Sequence, residues 1–439
     1  MNCLKNSKKK FSLIACALLA AFGACVGAQE IDFSGTVGTS WAMAAPWTDN
    51  AGDFTFGRVY FDGKLDAWYN ESSALVDASV GYDNTTRNLF FSLNEAWADY
   101  SSSNWGIRVG RQKTSWGKAD GITVTNIICP EDMSSLFADD TTMGIDSVRL
   151  SVTGSAFTVD AWWIPFFRGS KLPLEENNPL RKMIVPQSVD LSAISPGLVV
   201  PVSIGTIASP ELNIQNGEYA LKASGYFPLC DVSAYFFYGW ENIPLLKYAL
   251  TFTSETPYTP NGVLISGEYK RVLMFGLDAA VPINSIVLRA EGAFFLNREM
   301  QASAKEILSG GDISEKHNNL SGLLGIDWMP SGWTITAQYH ADFVFGDMDK
   351  LEREDAFSHG ATVSVSKTLL DETLELSFAG LVGFNAFDSA LTFTAEYSVS
   401  DQISVRAGAY VFLAGPKKDG TYGQYKDLSS FFLNAKFSF

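Results

Sequence analysis

The chain ends on a strand-like segment, residues 428–439, in which every second side chain is apolar. The apolar positions are Phe431, Leu433, Ala435, Phe437 and Phe439, and polar residues fill most of the positions between them. A strand of a membrane-spanning barrel needs this alternation, because one face meets lipid and the other meets water. An amphipathic edge strand of a soluble sheet would alternate in the same way.

The other end of the chain favours the membrane interpretation. Lysines at 5 and 8–10 precede an apolar run over 11–27 and the small residues before Gln29, which predicts a secretory signal over residues 1–28. The mature chain, 29–439, is then expected to form one barrel domain. Cys16 and Cys25 each leave lipidation open as an alternative. A terminal Phe439 resembles the signal read by the outer-membrane assembly machinery, which is therefore an expected partner together with outer-membrane lipid.

Composition excludes several other classes. The net charge is −16, and removal of the signal with its four lysines takes it to −20, which argues against nucleic acid as a partner. No segment of the mature chain has the ~18 consecutive apolar residues of a transmembrane helix. Cys129 and Cys230 alone remain in the mature chain, and their spacing predicts free thiols and no disulfide framework.

Alternating segments recur along the whole mature chain and predict about 18 antiparallel strands, with 16 also compatible. The predicted strands are 31–43, 55–69, 74–82, 89–100, 105–113, 145–153, 157–165, 217–227, 231–240, 263–281, 285–297, 318–329, 333–345, 356–369, 373–385, 389–399, 402–413 and 428–439. Short turns alternate with longer polar connections. This asymmetry is typical of a transmembrane β-barrel in the bacterial outer membrane, with the short turns in the periplasm.

The alternation also assigns faces, and it places charges of both signs on the inner one. A charge at the lipid midplane would cost about 2–4 kcal/mol, so these side chains are predicted to line a hydrated lumen. Arg271 departs from the pattern, because it shares a face with apolar residues, and is expected at the outer interface. The predicted pore-lining and constriction residues are Arg58, Asp62, Lys64, Arg108, Lys118, Asp120, Asp132, Arg149, Arg289, Glu291, Asp342 and Arg406.

The segment 114–144 is too long for a simple connection. Long loops of a compact structure are usually functional, and a barrel offers its lumen as the place for one. We therefore expect this segment, after the fifth strand, to fold inward and narrow the channel. An extracellular loop that covers the mouth is the alternative.

Residues 110–120, GRQKTSWGKAD, and 130–132, PED, resemble the GRQ-x-x-SWG-x-x-D and later P-x-D signature of a porin-like family of bacterial outer-membrane proteins without an assigned function. That family is similar to alginate-export barrels. Residues 269–278 and 288–291 also resemble its later strands. The resemblance implies a barrel whose loop after the GRQ strand enters the pore. It names no substrate, and this chain lacks the basic lumen expected of an alginate exporter.

A second long segment, 166–216, carries six prolines around the apolar run 198–207, which is expected to exclude a helix. It is expected to form an exposed loop with some internal packing. An apolar lid, or a contact for a hydrophobic solute, is the alternative.

Catalysis and cofactors receive no support from the motifs. The three histidines lie at 317, 340 and 359, and no serine is placed by spacing beside the inward His340. Neither a phosphate-binding glycine loop nor zinc-ligand spacing occurs. An acidic stretch at 347–355 lacks the ordered spacing of a calcium loop. We therefore expect a protein that is not an enzyme and that needs no cofactor or metal.

Together these patterns predict an outer-membrane, porin-like channel for diffusion or facilitated transport of small solutes, constricted by 114–144. The alternative is a surface scaffold, an adhesin or interaction protein, that uses the loops 166–216, 241–262 and 298–317. Uptake of a hydrophobic molecule through the run 198–207 is a third hypothesis. A single barrel and a homotrimer are both compatible with the sequence.

Overall fold

The structure, a computed structural model, describes residues 30–119, 121–136, 140–190, 192, 197–254, 259–416 and 420–439. The predicted signal, 1–28, and the predicted site residue Asp120 lie outside these residues.

Within the described residues, one sheet contains 18 strands, all of whose pairings are antiparallel. In chain-order numbering its strands are β1 (Glu30–Ala44), β2 (Phe54–Tyr69), β3 (Ser72–Asp83), β4 (Asn88–Ser101), β5 (Trp105–Gln112), β6 (Ile145–Thr153), β7 (Phe157–Ile164), β10 (Glu218–Tyr226), β11 (Asp231–Trp240), β14 (Arg271–Ile283), β15 (Ile286–Gln301), β16 (Ser314–Trp328), β17 (Trp333–Phe345), β18 (Phe357–Leu369), β19 (Leu374–Gly383), β20 (Asp388–Ser400), β21 (Ile403–Leu413) and β22 (Ser430–Ser438). A second sheet is formed by β8 (Ser188–Asp190), β9 (Val199–Ala208), β12 (Leu245–Phe252) and β13 (Pro260–Glu268). The predicted all-β barrel of 18 strands is thus confirmed.

The barrel closes where the last strand meets the first. β22 pairs with β1 from Thr36 opposite Ser438 to Ala44 opposite Ser430. Beyond the strand end, Gly35 and Phe439 exchange two backbone hydrogen bonds of 2.9 Å each. Closure satisfies the backbone groups of both edge strands, which hydrocarbon would otherwise leave without partners.

The two faces of β22 show the alternation at work. Phe431, Leu433 and Phe437 are 42–54% exposed on the outer face, whereas the inward Asn434 is 6% exposed. The same division runs round the barrel, so the exterior is an apolar surface suited to lipid. The start of β1, the end of β22 and only short turns lie at one end, and the long connections lie at the other together with the turns 84–87 and 384–387; we call these the periplasmic and extracellular ends.

Arg271 lies on the outer face of the barrel near one end, which is consistent with its expected position at the outer interface. It begins β14 at the extracellular end, and its guanidinium lies 4.1 Å from the ring centroid of Trp240 and 5.1 Å from that of Tyr238. Its terminal nitrogens donate to the carbonyls of Gln215 and Gly217. Aromatic rings and a cation in this arrangement are typical of a membrane boundary.

One predicted strand was wrong. The stretch 263–281 is two strands that belong to different sheets: β13 ends at Glu268, and β14 begins at Arg271. The break falls in a mostly polar stretch, 266–271, but neither glycine nor proline occupies 269–270, and the apolar runs on both sides of it predict one strand.

The expectation of an exposed loop over 166–216 also needs correction. The apolar run after 197 forms β9, which pairs in parallel with β13 and antiparallel with β8. Val200, Val263 and Ile265 of this second sheet are buried together with Val185, which precedes β8. Alternate side chains of the run, Leu198, Val200, Val202 and Ile204, therefore pack into the core of an extracellular subdomain.

Helices are short. Besides 3-10 turns, the described residues contain α1 (Arg181–Ile184) and α2 (Ala304–Leu308). No helix in these residues has the length and apolar character needed to cross a membrane.

Candidate functional site

The connection between β5 and β6, residues 113–144, turns into the barrel; we call it the inner loop. Its Trp116 is fully buried. The Trp116 ring lies 4.8 Å from the ring of Tyr235, 5.9 Å from that of Trp162 and 6.4 Å from that of Phe237, measured between centroids. These three partners project inward from β7 and β11. The loop is thus held against the inner wall by aromatic packing.

A single carboxylate holds the next turn of the inner loop. Glu291 Oε1 accepts hydrogen bonds from the backbone N–H groups of Lys118 (2.6 Å) and Ala119 (2.7 Å). Its Oε2 accepts from Val124 N (3.0 Å) and Thr125 Oγ1 (3.3 Å). Glu291 is 6% exposed and stands in the periplasmic half of β15. The loop therefore reaches deep into the lumen, and charge-assisted bonds fix its backbone there.

Two further wall groups support the same turn. The Tyr235 hydroxyl accepts from Gly117 N (3.1 Å) and donates to Asp278. Arg289 pairs with Asp327 and donates to the carbonyl of Lys118. Pairing and hydrogen bonding offset the free-energy cost of burying these charges.

The inner loop reaches well across the barrel. A methyl group on Gly121 would lie 3.9 Å from Oε1 of Gln338, which is on β17. β17 lies nearly halfway round the ring from β5, through β6, β7, β10, β11, β14, β15 and β16. The segment therefore crosses the lumen, in contrast to a loop that only covers the mouth.

The returning half of the inner loop is joined to the segment 165–217. Ser170 Oγ accepts from Glu131 N at 3.0 Å, and Asn178 donates to the carbonyl of Ser134 at 2.8 Å. Asp132 forms an ion pair of 3.1 Å with Lys171. Burial alone would raise the pKa of Asp132, but hydrogen bonds from Ser134 and the Lys171 charge lower it below its usual value. These contacts lock the two long loops together.

Cys129 is buried within the inner loop. Its thiol lies 3.4 Å from Thr114 N, and burial raises its pKa to about 11. Cys230, the other free cysteine of the described residues, sits half-buried at the periplasmic turn before β11.

We predict that a maleimide labels Cys230 and leaves Cys129 unmodified in the refolded protein, because the thiolate is the reactive form and Cys129 is buried and protonated. Mass spectrometry of the labelled chain, with Cys230→Ser as the matched control, measures this. Labelling of Cys129 at the rate of Cys230 before denaturation would show that the inner loop does not stay seated.

The inner loop covers one side of the wall and leaves the other open. Inward side chains beneath it are almost inaccessible: Met274 is 0%, Leu323 2% and Gln338 3% exposed. On the far side, inward residues such as Lys64 remain in contact with solvent, with 47% of that side chain exposed. We call β18–β22 together with β1–β3 the open wall.

Among the predicted site residues, Lys118, Arg289 and Glu291 come together where the inner loop meets the wall. Arg108 and Arg149 face each other on β5 and β6 and share Asp99, at 3.0 and 3.9 Å. They lie on the barrel wall below the point where the inner loop begins.

The other predicted residues lie elsewhere. Arg58, Asp62 and Lys64 are inward on β2, and Arg406 is inward on β21. Asp342, on β17, pairs with Arg353 and thereby holds the extracellular connection after that strand. Asp132 lies among the extracellular loops, bonded to Lys171.

The alternation of inward and outward positions did not identify several residues that contact the inner loop. Trp116, Tyr235 and Asp278 are all buried at the loop, and Lys222 lies 5.6 Å from the Tyr235 ring. Each stands on the inward face of its strand or within the long loop. Neighbouring inward residues of β11 and β14, Phe237, Val272 and Met274, are apolar. A polar side chain among apolar inward residues is the sequence signal that could have identified Tyr235 and Asp278.

No family model and no curated relative matches this chain. The narrower resemblance to the GRQ-x-x-SWG family therefore stays a prediction. Solved structures do match. The chain is similar to OccAB1 of Acinetobacter baumannii, with 9% identity, 94% of this chain and 97% of that chain covered, and a TM-score of 0.55. It is also similar to OccK8 (OprE) of Pseudomonas aeruginosa, with 13% identity, 94% and 98% covered, and a TM-score of 0.54. At this identity the likeness shows the fold alone: the chain forms a β-barrel like those of these two bacterial proteins.

Proposed function

We propose that the protein is a passive or facilitated channel for small hydrophilic solutes across the outer membrane, and that the inner loop sets its width. The mature chain, 29–439, would act as one unit after removal of the signal. The observation that carries the proposal is the seating of the loop backbone on Glu291, deep inside a closed barrel.

The lining supports this proposal. Along the open wall the inward positions of β18 carry Ser358, Thr362, Ser364 and Ser366, whose hydroxyls suit a water-filled path. A path of this kind excludes lipid by its outer face and selects solutes by diameter and local charge.

The test is single-channel recording of the refolded, signal-free chain in a planar bilayer. Discrete current steps would support the proposal. Steps grouped in three levels would identify a homotrimer, and single steps would identify independent barrels. A silent protein whose barrel is confirmed by heat-modifiable migration would contradict the channel function.

A second candidate, a surface scaffold, is favoured by the extracellular subdomain built on β8, β9, β12 and β13. It exposes Val199 (58%) and Phe252 (51%), which a loop that serves only the channel does not require. Removing the β12–β13 hairpin, 245–268, would abolish binding to a partner and leave conductance intact if this function holds.

A further inference from the structure

The open wall defines where a solute would travel. Because the inner loop is bonded to β11 and β15 and reaches β17, the part of the lumen that it leaves free is bounded by β18–β22 and β1–β3. This step rests on the proposed channel function. The ion preference of the channel should then follow the charges of the open wall.

Carboxylates outnumber bases on the inward face of the open wall. The cross-strand registers place the following acids there: Glu30, Asp32, Asp62, Asp66, Asp77, Asp83, Glu375, Asp388 and Glu396. The inward bases are Arg58, Lys64, Arg406 and Lys436. Arg58 pairs with Asp83 at 3.3 Å, and Lys64 pairs with Asp66 at 3.0 Å. Acidic side chains therefore remain after each of these bases is matched.

Part of the acidic excess lies near the periplasmic end. Glu375 and Glu396 stand directly opposite each other on β19 and β20, and Arg406 on β21 is the register partner of Glu396. Like charges that face each other across strands are destabilising. Glu375 is exposed to the lumen, so water and mobile cations are what can offset this repulsion.

Basic side chains on the rest of the barrel wall do not cancel the excess of acidic side chains on the open wall. Arg289 is paired with Asp327, and Arg298 with Glu241 at 2.6 Å. Lys222 is in register with Asp160. Arg108 and Arg149 share the single carboxylate of Asp99, but the inward Asp278 and Glu291 add acidic charge on the same side. The bases of the loop-covered side therefore do not outnumber the acids beside them.

We propose that the channel prefers cations, and that Glu375 and Glu396 on the open wall are specificity-determining residues for cationic solutes. Their field raises the local concentration of cations along the path and lowers that of anions.

The test is the reversal potential of the full mature chain in a KCl gradient. The wild type should pass K⁺ in preference to Cl⁻, and Glu375→Gln combined with Glu396→Gln should move the permeability ratio toward unity. The matched control is Asp371→Asn combined with Glu372→Gln, which removes the same charge from the turn before β19. Asp371 and Glu372 have positive φ, of 53° and 68°, which places them in the turn and not in the strand that lines the lumen. The control should retain the wild-type ratio.

Each alternative result has a defined meaning. A wild type that is anion-selective or unselective overturns the inference and leaves the channel function standing. A cation-selective wild type whose ratio is unchanged in the Glu375/Glu396 variant overturns the assignment to the open wall. Absence of current from a folded barrel overturns both the channel and its preference.

Discussion

Replacing residues 115–128 by a short turn should raise the single-channel conductance severalfold, which is the largest functional effect expected in this protein. The removed segment includes the part of the inner loop that crosses from β5 toward β17. The two ends lie close together, because Thr114 N is 3.4 Å from Cys129 Sγ, so a tight turn can join them. Closure of β1 with β22 does not involve this segment, and the barrel should persist. Conductance in a planar bilayer measures the effect, with heat-modifiable migration as the test of folding.

The matched control shortens a connection that stays outside the lumen. Residues 303–312 include α2, and Ala302 N donates to the carbonyl of Ile313 at 2.9 Å, so these ends are also adjacent. Replacing 303–312 by a turn should leave conductance at the wild-type level. If the inner-loop variant folds and conducts like this control, the inner loop does not constrict the path.

Alternation in the sequence was enough to predict the barrel, because lipid on one face and water on the other impose a period of two along each strand. The strand number, the closing pair and the inward loop after β5 are all observed. Periodicity predicts which face of a strand a side chain occupies, but it does not predict which distant segment of the chain that side chain contacts. Glu291 could be placed inward from its neighbours in β15, whereas its bonds to the inner loop depend on a separation of more than 160 residues.

The extracellular subdomain shows the same limit in a stronger form. β9 pairs in parallel with β13 across about sixty residues of sequence, and Val263 stands opposite Val202. From sequence alone, the apolar run 198–207 is equally compatible with a barrel strand, a lid or a loop that packs on itself. The misassigned strand at 263–281 has this cause, since β13 and β14 both carry apolar residues of strand type but pair with different partners.

Glu291→Ala should release the inner loop without removing any of its residues. Three backbone N–H groups, of Lys118, Ala119 and Val124, lose their acceptor. A buried donor left without a partner costs about 1–3 kcal/mol, so the segment should gain free energy by leaving the wall and binding water. We expect higher conductance, larger current noise in the open state, and faster proteolysis within 117–127.

Two matched variants separate the tether from its charge. Glu291→Gln keeps one oxygen that can accept, so its conductance and noise should fall between those of the wild type and Glu291→Ala. Glu375→Ala removes the same charge from the open wall, where no described inner-loop residue is bonded to it, and should change ion preference without adding noise. If Glu375→Ala reproduces the noise of Glu291→Ala, lumen charge and not attachment of the loop is responsible. If Glu291→Ala matches the wild type in both noise and proteolysis, the aromatic contacts of Trp116 hold the loop without the carboxylate.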